Sequence, residues 1–212
     1  PDAVQTSLLM DGKSLSTILN DGTKTNKNIE VSLKRAVAKI RINLSYGTGY
    51  QPVGQVTKKL VNYASDARIL ESGDAHSPSL ASTPLYTGVE TVSGTPGQIV
   101  LYSYANDWNG SVANETFVYL NVPIQKGAST VNQYYKIPVN YRLSASGGDP
   151  AHLYRLRRNY IYDITAHING EGGSSAPEAV VLDNVNYRII DWSTNDVDVW
   201  IKNIMYLYVD EQ

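Results

Sequence analysis

Leu156 to Gly170 reads LRRNYIYDITAHING, and its alternation decides the fold class. Tyr160, Tyr162, Ile164, Ala166 and Ile168 fall on one face of an extended chain, and Ile161, Asp163, Thr165 and His167 on the other. Arg157 and Arg158 stand just before the run, and a Gly/Ser/Pro cluster, GEGGSSAP, closes it. A second long strand with a similar polar, basic start is VSLKRAVAKIRINLSY, Val31 to Tyr46. The remaining strands are expected to pack around these two.

The Val31 run changes phase. Val31 and Leu33 share one parity, whereas Ala36, Ala38, Ile40, Ile42, Leu44 and Tyr46 share the other. Because one residue of slip turns every side chain over, Lys34-Arg35 should hold a bulge or a crossing between sheets. Further strands are expected at Val56 to Ala64, Ala67 to Leu70, Gln98 to Tyr104, Thr116 to Ile124, Gln133 to Leu143, Ala179 to Trp192 and Val197 to Val209. Pro123 and Pro138 would place their runs at edges or bulges. Many strands and no convincing helix predict an all-β, antiparallel sandwich.

The first 27 residues read as the end of a preceding domain and a linker, with a disordered tail as the alternative. Thr6 to Met10 would be a short strand, Asp11-Gly12 a turn, and Asp21-Gly22 the start of a polar linker. Residues 28–212 would then form one sandwich domain with a C-terminal strand.

At 212 residues the chain can bury a core without staples, since a chain of this size hides roughly 70% of its unfolded surface. Sixteen Tyr against one Phe suit half-buried strands, where the ring packs and the hydroxyl stays wet. A net charge of -2 argues against a nucleic-acid partner, which wants a basic excess. The absence of cysteine excludes disulfides, thiol catalysis and cysteine zinc sites. No run approaches the ~18 apolar residues of a membrane span. PDAVQTSLLM lacks the charged start and long apolar core of a signal peptide.

No catalytic motif is present: there is no G-x-S-x-G, H-E-x-x-H or P-loop. His167 shares a face with Asp163 but stands ~13 Å along the strand, too far for direct pairing. Asn106 to Gly110, NDWNG, reads as a turn rather than a calcium loop, because it lacks the full ligand set and terminal Glu. Beside it, Tyr104 and Trp108 could stack on a sugar ring, although a packed or merely exposed pair is the commoner outcome. No cofactor or metal site is expected.

The pairing of LKRAVAKIRINL early with RRNYIYDITAHINGEG late, followed by a short strand ending in Trp192, resembles the fimbrillins of Bacteroidales. Arg157, Arg158, Asn159, Tyr160, Tyr162, Asp163 and Ile164 match that family's basic-Arg-Asn-aromatic-x-Tyr-Asp-Ile pattern, and YYKIPV (Tyr134 to Val139) sits where the family has an aromatic strand. The resemblance implies transthyretin-like Greek-key sandwiches, with the LKRAVAKI-like strand opening the second of two domains. It also implies export as a lipoprotein and assembly into a surface fimbria of a Gram-negative bacterium, by strand donation between subunits. The physics of that donation is an unpaired strand edge filled by a foreign strand. Val197, Val199, Ile201, Met205, Leu207 and Val209 place six apolar residues on one parity and make that segment the donor candidate. A last strand folded into its own domain is the alternative.

The expected function is therefore a structural or adhesive fimbrial subunit and not an enzyme. Its partners would be other subunits, with host or bacterial surface proteins or glycans as adhesion targets. A carbohydrate-binding surface module using Tyr104 and Trp108 is the rival reading.

Overall fold

The computed structural model of the chain describes residues 9–12, 33–68, 78–81, 88–90, 97–140, 153–182 and 185–192. In chain order the strands are β1 (Met10–Asp11), β2 (Lys34–Arg35), β3 (Ala38–Tyr46), β4 (Val56–Val61) and β5 (Tyr63–Ala64). They continue with β6 (Leu80–Ala81), β7 (Gly88–Glu90), β8 (Gln98–Ser103), β9 (Asn106–Asp107) and β10 (Phe117–Lys126). The last five are β11 (Ser129–Pro138), β12 (Arg155–Leu156), β13 (Tyr160–Ile168), β14 (Val180–Val181) and β15 (Val185–Asp191). Apart from two short 3-10 turns, no helix occurs among the described residues, so the fold is all-β.

Two sheets form the sandwich, ordered β15-β13-β3-β8 and β14-β11-β10-β4-β7. The two strands singled out from sequence, β13 and β3, lie side by side at the centre of the first sheet. They run parallel, with Ile161 opposite Lys39 and Ile168 opposite Tyr46. The sandwich is thus mixed at its centre and antiparallel elsewhere in that sheet, through the β13–β15 and β3–β8 pairs. Parallel neighbours need a long crossover, and here it is the whole stretch from β4 to β12.

The alternation in β13 sorts its side chains as expected: Tyr162, Ile164, Ala166 and Ile168 are buried, and Thr165 and His167 exposed. Ala38, Ile40, Ile42 and Leu44 of β3 join them, with Ile99 and Leu101 of β8. From the other sheet come Val56 and Leu60 of β4, Val118, Leu120, Val122 and Ile124 of β10, and Tyr135 and Ile137 of β11. These close the main core between the layers.

The phase change at Lys34-Arg35 is a break. β2 pairs with β1, the chain bends at Ala36-Val37, and β3 starts afresh at Ala38. Both Ala36 and Val37 are buried, one on each side of the turn-over.

Several expectations need correction. Ala179 to Trp192 is not one strand, since β14 pairs with β11 in one sheet and β15 with β13 in the other, and Asp11, expected in a turn, lies in β1. Val56 to Ala64 is not one strand: Asn62, at a φ of +52°, splits it into β4 and β5. Ala67 and Arg68 are not in a strand; the rest of that expected run, 69–70, lies outside the described residues. Pro123 sits in β10, a central strand, instead of an edge or bulge. Its carbonyl accepts from the Val53 amide at 2.8 Å, so its ring nitrogen points to the same side, where the β4 ladder has already ended at Asn121 and Thr57. A missing N–H costs little there.

Candidate functional site

The motif RRNYxYDI is a junction. Asn159 takes a left-handed φ of +62°, which Asn tolerates better than most residues, and so turns the chain into β13. The Asn159 Oδ1 accepts from the Arg35 amide at 3.1 Å, its own amide donates to the Val37 carbonyl at 2.9 Å, and its carbonyl accepts from the Trp192 amide at 2.9 Å. One side chain and its peptide thus bind the end of β2, the bend after it and the exit from β15.

Arg158 beside it donates to the carbonyls of Arg35 at 3.1 Å and Lys34 at 3.3 Å, and it forms an ion pair with Asp11 of β1. That pair is nearly enclosed, the two side chains being 10% and 8% exposed. Burial lowers the pKa of both the Arg158 and Arg35 guanidiniums. Arg35 lies 4.4 Å above the Trp192 ring and donates to the Trp192 carbonyl at 3.2 Å. Tyr102 stacks on that ring at 6.2 Å, and Lys39 approaches it to 5.5 Å. A second small core of Val37, Ile161 and Trp192 completes the junction, with Tyr102, Tyr104 and Ile190 against it.

Further along the outer face, the register lines up Arg188, Asp163 and Arg41 on β15, β13 and β3. Asp163 accepts from Arg41 Nε and from Arg188 at 2.8 Å each, and from the Asn43 amide at 3.1 Å. Burial by itself would raise the Asp163 carboxyl, but the hydrogen bonds and charges of the two arginines outweigh it and hold it below the usual carboxylate range. A depressed folded pKa means that this stabilisation is present above the unfolded value of about 3.9 and fades as pH falls through the folded value. Asp163→Asn should therefore lower stability at pH 7 and flatten the loss of stability below pH ~4, read by denaturant titrations across pH. Parallel acid limbs in the variant and the parent would refute this.

His167 is exposed, as expected for a solvated histidine, and its Nδ1 shares a hydrogen bond with Ser45 Oγ at 2.8 Å. No group of three or more His, Asp or Glu able to hold a metal occurs among the described residues. The NDWNG segment is a turn only in its second half: Asn106 and Asp107 form β9 against β12, and Asn109 and Gly110 turn the chain at φ of +43° and +81°.

That turn folds Trp108 under the sandwich, where it is 3% exposed within the main core. Tyr104 is half-buried against the second core. The two rings weighed as a sugar-stacking pair belong to different packing clusters and form no exposed platform. The donor candidates Val197, Val199, Ile201, Met205, Leu207 and Val209 lie outside the described residues.

Sequence reasoning missed the roles of Asp11, Arg35 and Trp192. Their partners lie more than a hundred residues away, so local pattern carries no trace of them; the one signal available was the density of polar residues in RRN.

Each layer also has strand edges. Among the described residues β15 pairs with β13 alone, and β8 with β3 alone, apart from an isolated bridge between Tyr104 and Ala64. The chain leaves β15 at Trp192.

No protein-family profile and no curated protein matches the sequence. Solved structures do. A candidate cell adhesion protein from Bacteroides eggerthii superposes with a TM-score of 0.54 at 19% identity, over 90% of this chain and 65% of its own. One from Parabacteroides distasonis gives 0.47 at 17% identity, over 76% and 53%. The tip fimbrial protein Mfa3 from Porphyromonas gingivalis, with a C-terminal truncation, gives 0.38 at 15%, over 87% and 71%. The last two likenesses are too distant to carry an argument. The first places the chain's fold with that of a Bacteroides structure, and the chain spans roughly half to two thirds of the first two proteins' length.

Proposed function

We propose that this chain is a structural or adhesive subunit of a cell-surface fimbria, exported by a Gram-negative bacterium and without catalytic activity. Its assembly would proceed by one subunit donating a strand to a sheet edge of the next. The observation that carries the reading is that, among the described residues, β8 and β15 each pair on one side alone, in a sheet from which the chain continues into a run with six apolar residues on one parity. An open edge offers a row of N–H and C=O groups, and an added strand satisfies them while burying its apolar face. The fold shared with a candidate cell adhesion protein from Bacteroides eggerthii supports the same reading. So does the resemblance of the RRNYxYDI motif, whose residues join β1 and β2 to Trp192. The fimbrial partners would be copies of this chain or related subunits; lipoprotein export and outer-membrane attachment belong to the same proposal.

A chain ending at Asn195 should remain folded and fail to form multimers, as read by light scattering on size-exclusion chromatography. Normal multimers from that shortened chain would refute donation by Val197 to Val209. The glycan-binding alternative finds no support in Trp108, whose ring is inside the core.

A further inference from the structure

We propose that Gly170 to Leu182 is a fitted strap that shuts the outer edge of β11, and that unseating it opens this edge to antiparallel pairing with β11 of a second copy of the chain. In an extended strand, alternate residues aim their backbone N–H and C=O groups at the same neighbour. The Tyr134 amide donates to the Gly173 carbonyl at 3.0 Å, and the Gly173 amide donates back to the Tyr134 carbonyl at 2.9 Å. The backbone groups of Tyr134 therefore face away from β10, as do those of Thr130, Asn132 and Lys136 at even spacing from it. The strap returns beside the same row. Val180 and Val181 run parallel to Tyr135 and Lys136, and the Leu182 amide donates to the Lys136 carbonyl at 3.0 Å.

Side chains hold the strap in its seat. The Gly172 amide donates to Gln133 Oε1 at 2.7 Å, the Tyr135 hydroxyl donates to the Gly170 carbonyl at 2.8 Å, and Lys126 pairs with Glu171 at 2.7 Å. Ser174 and Ser175 both donate to Glu178 Oε2 and fold the strap back on itself. The two glycines leave no room for a side chain. A methyl group on Gly172 would stand 2.8 Å from the Tyr134 carbonyl oxygen and 2.9 Å from the Tyr135 ring, and one on Gly173 would overlap the Glu178 carbonyl.

The occupant follows from the bonding. The mutual pair that Gly173 makes with Tyr134 is the closely spaced kind, which Tyr134 of a second copy would reproduce across a two-fold axis. With Tyr134 opposite itself, Asn132 falls opposite Lys136, so the one charged residue of β11 never meets its own copy. Pro138, with no N–H to offer, falls at the end of the shared ladder. An open edge of this kind is a template for another chain, and the strap removes it. The inference concerns the second sheet and does not rest on strand donation at the first.

Light scattering on size-exclusion chromatography and amide exchange by NMR, both on the full chain, test it with Gly173→Val. In dilute samples the Tyr134 amide should exchange about tenfold faster or more, and a dimer should grow in as concentration rises. Adding Asn132→Pro should abolish that dimer, because it removes an outward N–H and leaves the β10 ladder intact. Multimers built by Val197 to Val209 would survive that change. A monomer with a fast Tyr134 amide would overturn self-pairing, and a dimer indifferent to Asn132→Pro would overturn its assignment to β11. Should Gly173→Val not fold, Glu178→Ala loosens the strap at its folded-back end and is read by the same outcomes. A Tyr134 amide at its parent rate in the variant that folds would overturn the strap itself.

Discussion

Ile42→Ala is expected to lower the unfolding free energy by about 3–4 kcal/mol. Ile42 is fully buried in the middle of β3, opposite Ile164 of β13 on one side and Ile99 of β8 on the other. All three belong to the main core, so the lost methyl groups leave a cavity bounded by β3 and β13, each hydrogen-bonded on both sides, and by β8 at the edge. A strand in that position cannot slide inward to fill the gap, which puts the cost in the upper part of the range for such truncations. The measurement is the urea midpoint at constant slope. Thr165→Ala on the exposed face of β13 is the control and should change stability by less than ~0.5 kcal/mol. A loss below ~1 kcal/mol for Ile42→Ala would mean that the two sheets do not close on this residue as described.

Breaking the Glu115–Lys136 pair should cost about 3 kcal/mol or more, the second large effect. Glu115 stands just before β10 with its side chain 5% exposed, and Lys136 Nζ lies 2.8 Å from its Oε2. The same ammonium sits 4.1 Å above the Phe117 ring. The approach of Glu115 is set by Asn62, whose side-chain amide donates to the carbonyls of Ala113 and Glu115 while its own carbonyl accepts from Thr116 and Asn106. Removing either partner leaves the other's charge half or fully out of water. Glu115→Ala and Lys136→Met should each lose most of this amount. The joint replacement Glu115→Leu with Lys136→Met should recover much of it, because a buried pair traded for apolar groups is often neutral. The recovery is helped by Glu115 Oε1, which has no hydrogen-bond partner among the described residues. A double-mutant cycle on unfolding free energies gives the coupling directly. Additive losses would show that the charges act independently.

Much of this architecture was legible in the residues. The alternation of YIYDITAHI sorted inward from outward side chains, and the parity change near Lys34 marked where the early strand breaks. Turn residues at Asn109 and Gly110 were equally plain. Two readings failed for physical reasons. Trp108 looked exposed because it stands in a polar turn, yet two left-handed residues after it fold the chain back and carry its ring beneath the sheets. Pro123 looked like an edge because it cannot donate, yet its empty side falls beyond the last β4 pair.

By itself, then, the sequence determined that the chain is all-β, which residues share a face in β3 and β13, and where one strand had to break. Those properties follow from local chemistry: a side chain is apolar or it is not, and in an extended chain successive ones point to opposite sides. The tertiary structure alone decided that β3 and β13 lie parallel, that Asp163 stands between two arginines, and that Asp11, Arg158, Arg35 and Trp192 meet. Arg35 and Asn159 are 124 positions apart, and Arg35 and Trp192 157. At such separations alternation is silent, because it specifies a face and leaves the neighbour, the direction and the register to be chosen by the packing of the whole sheet.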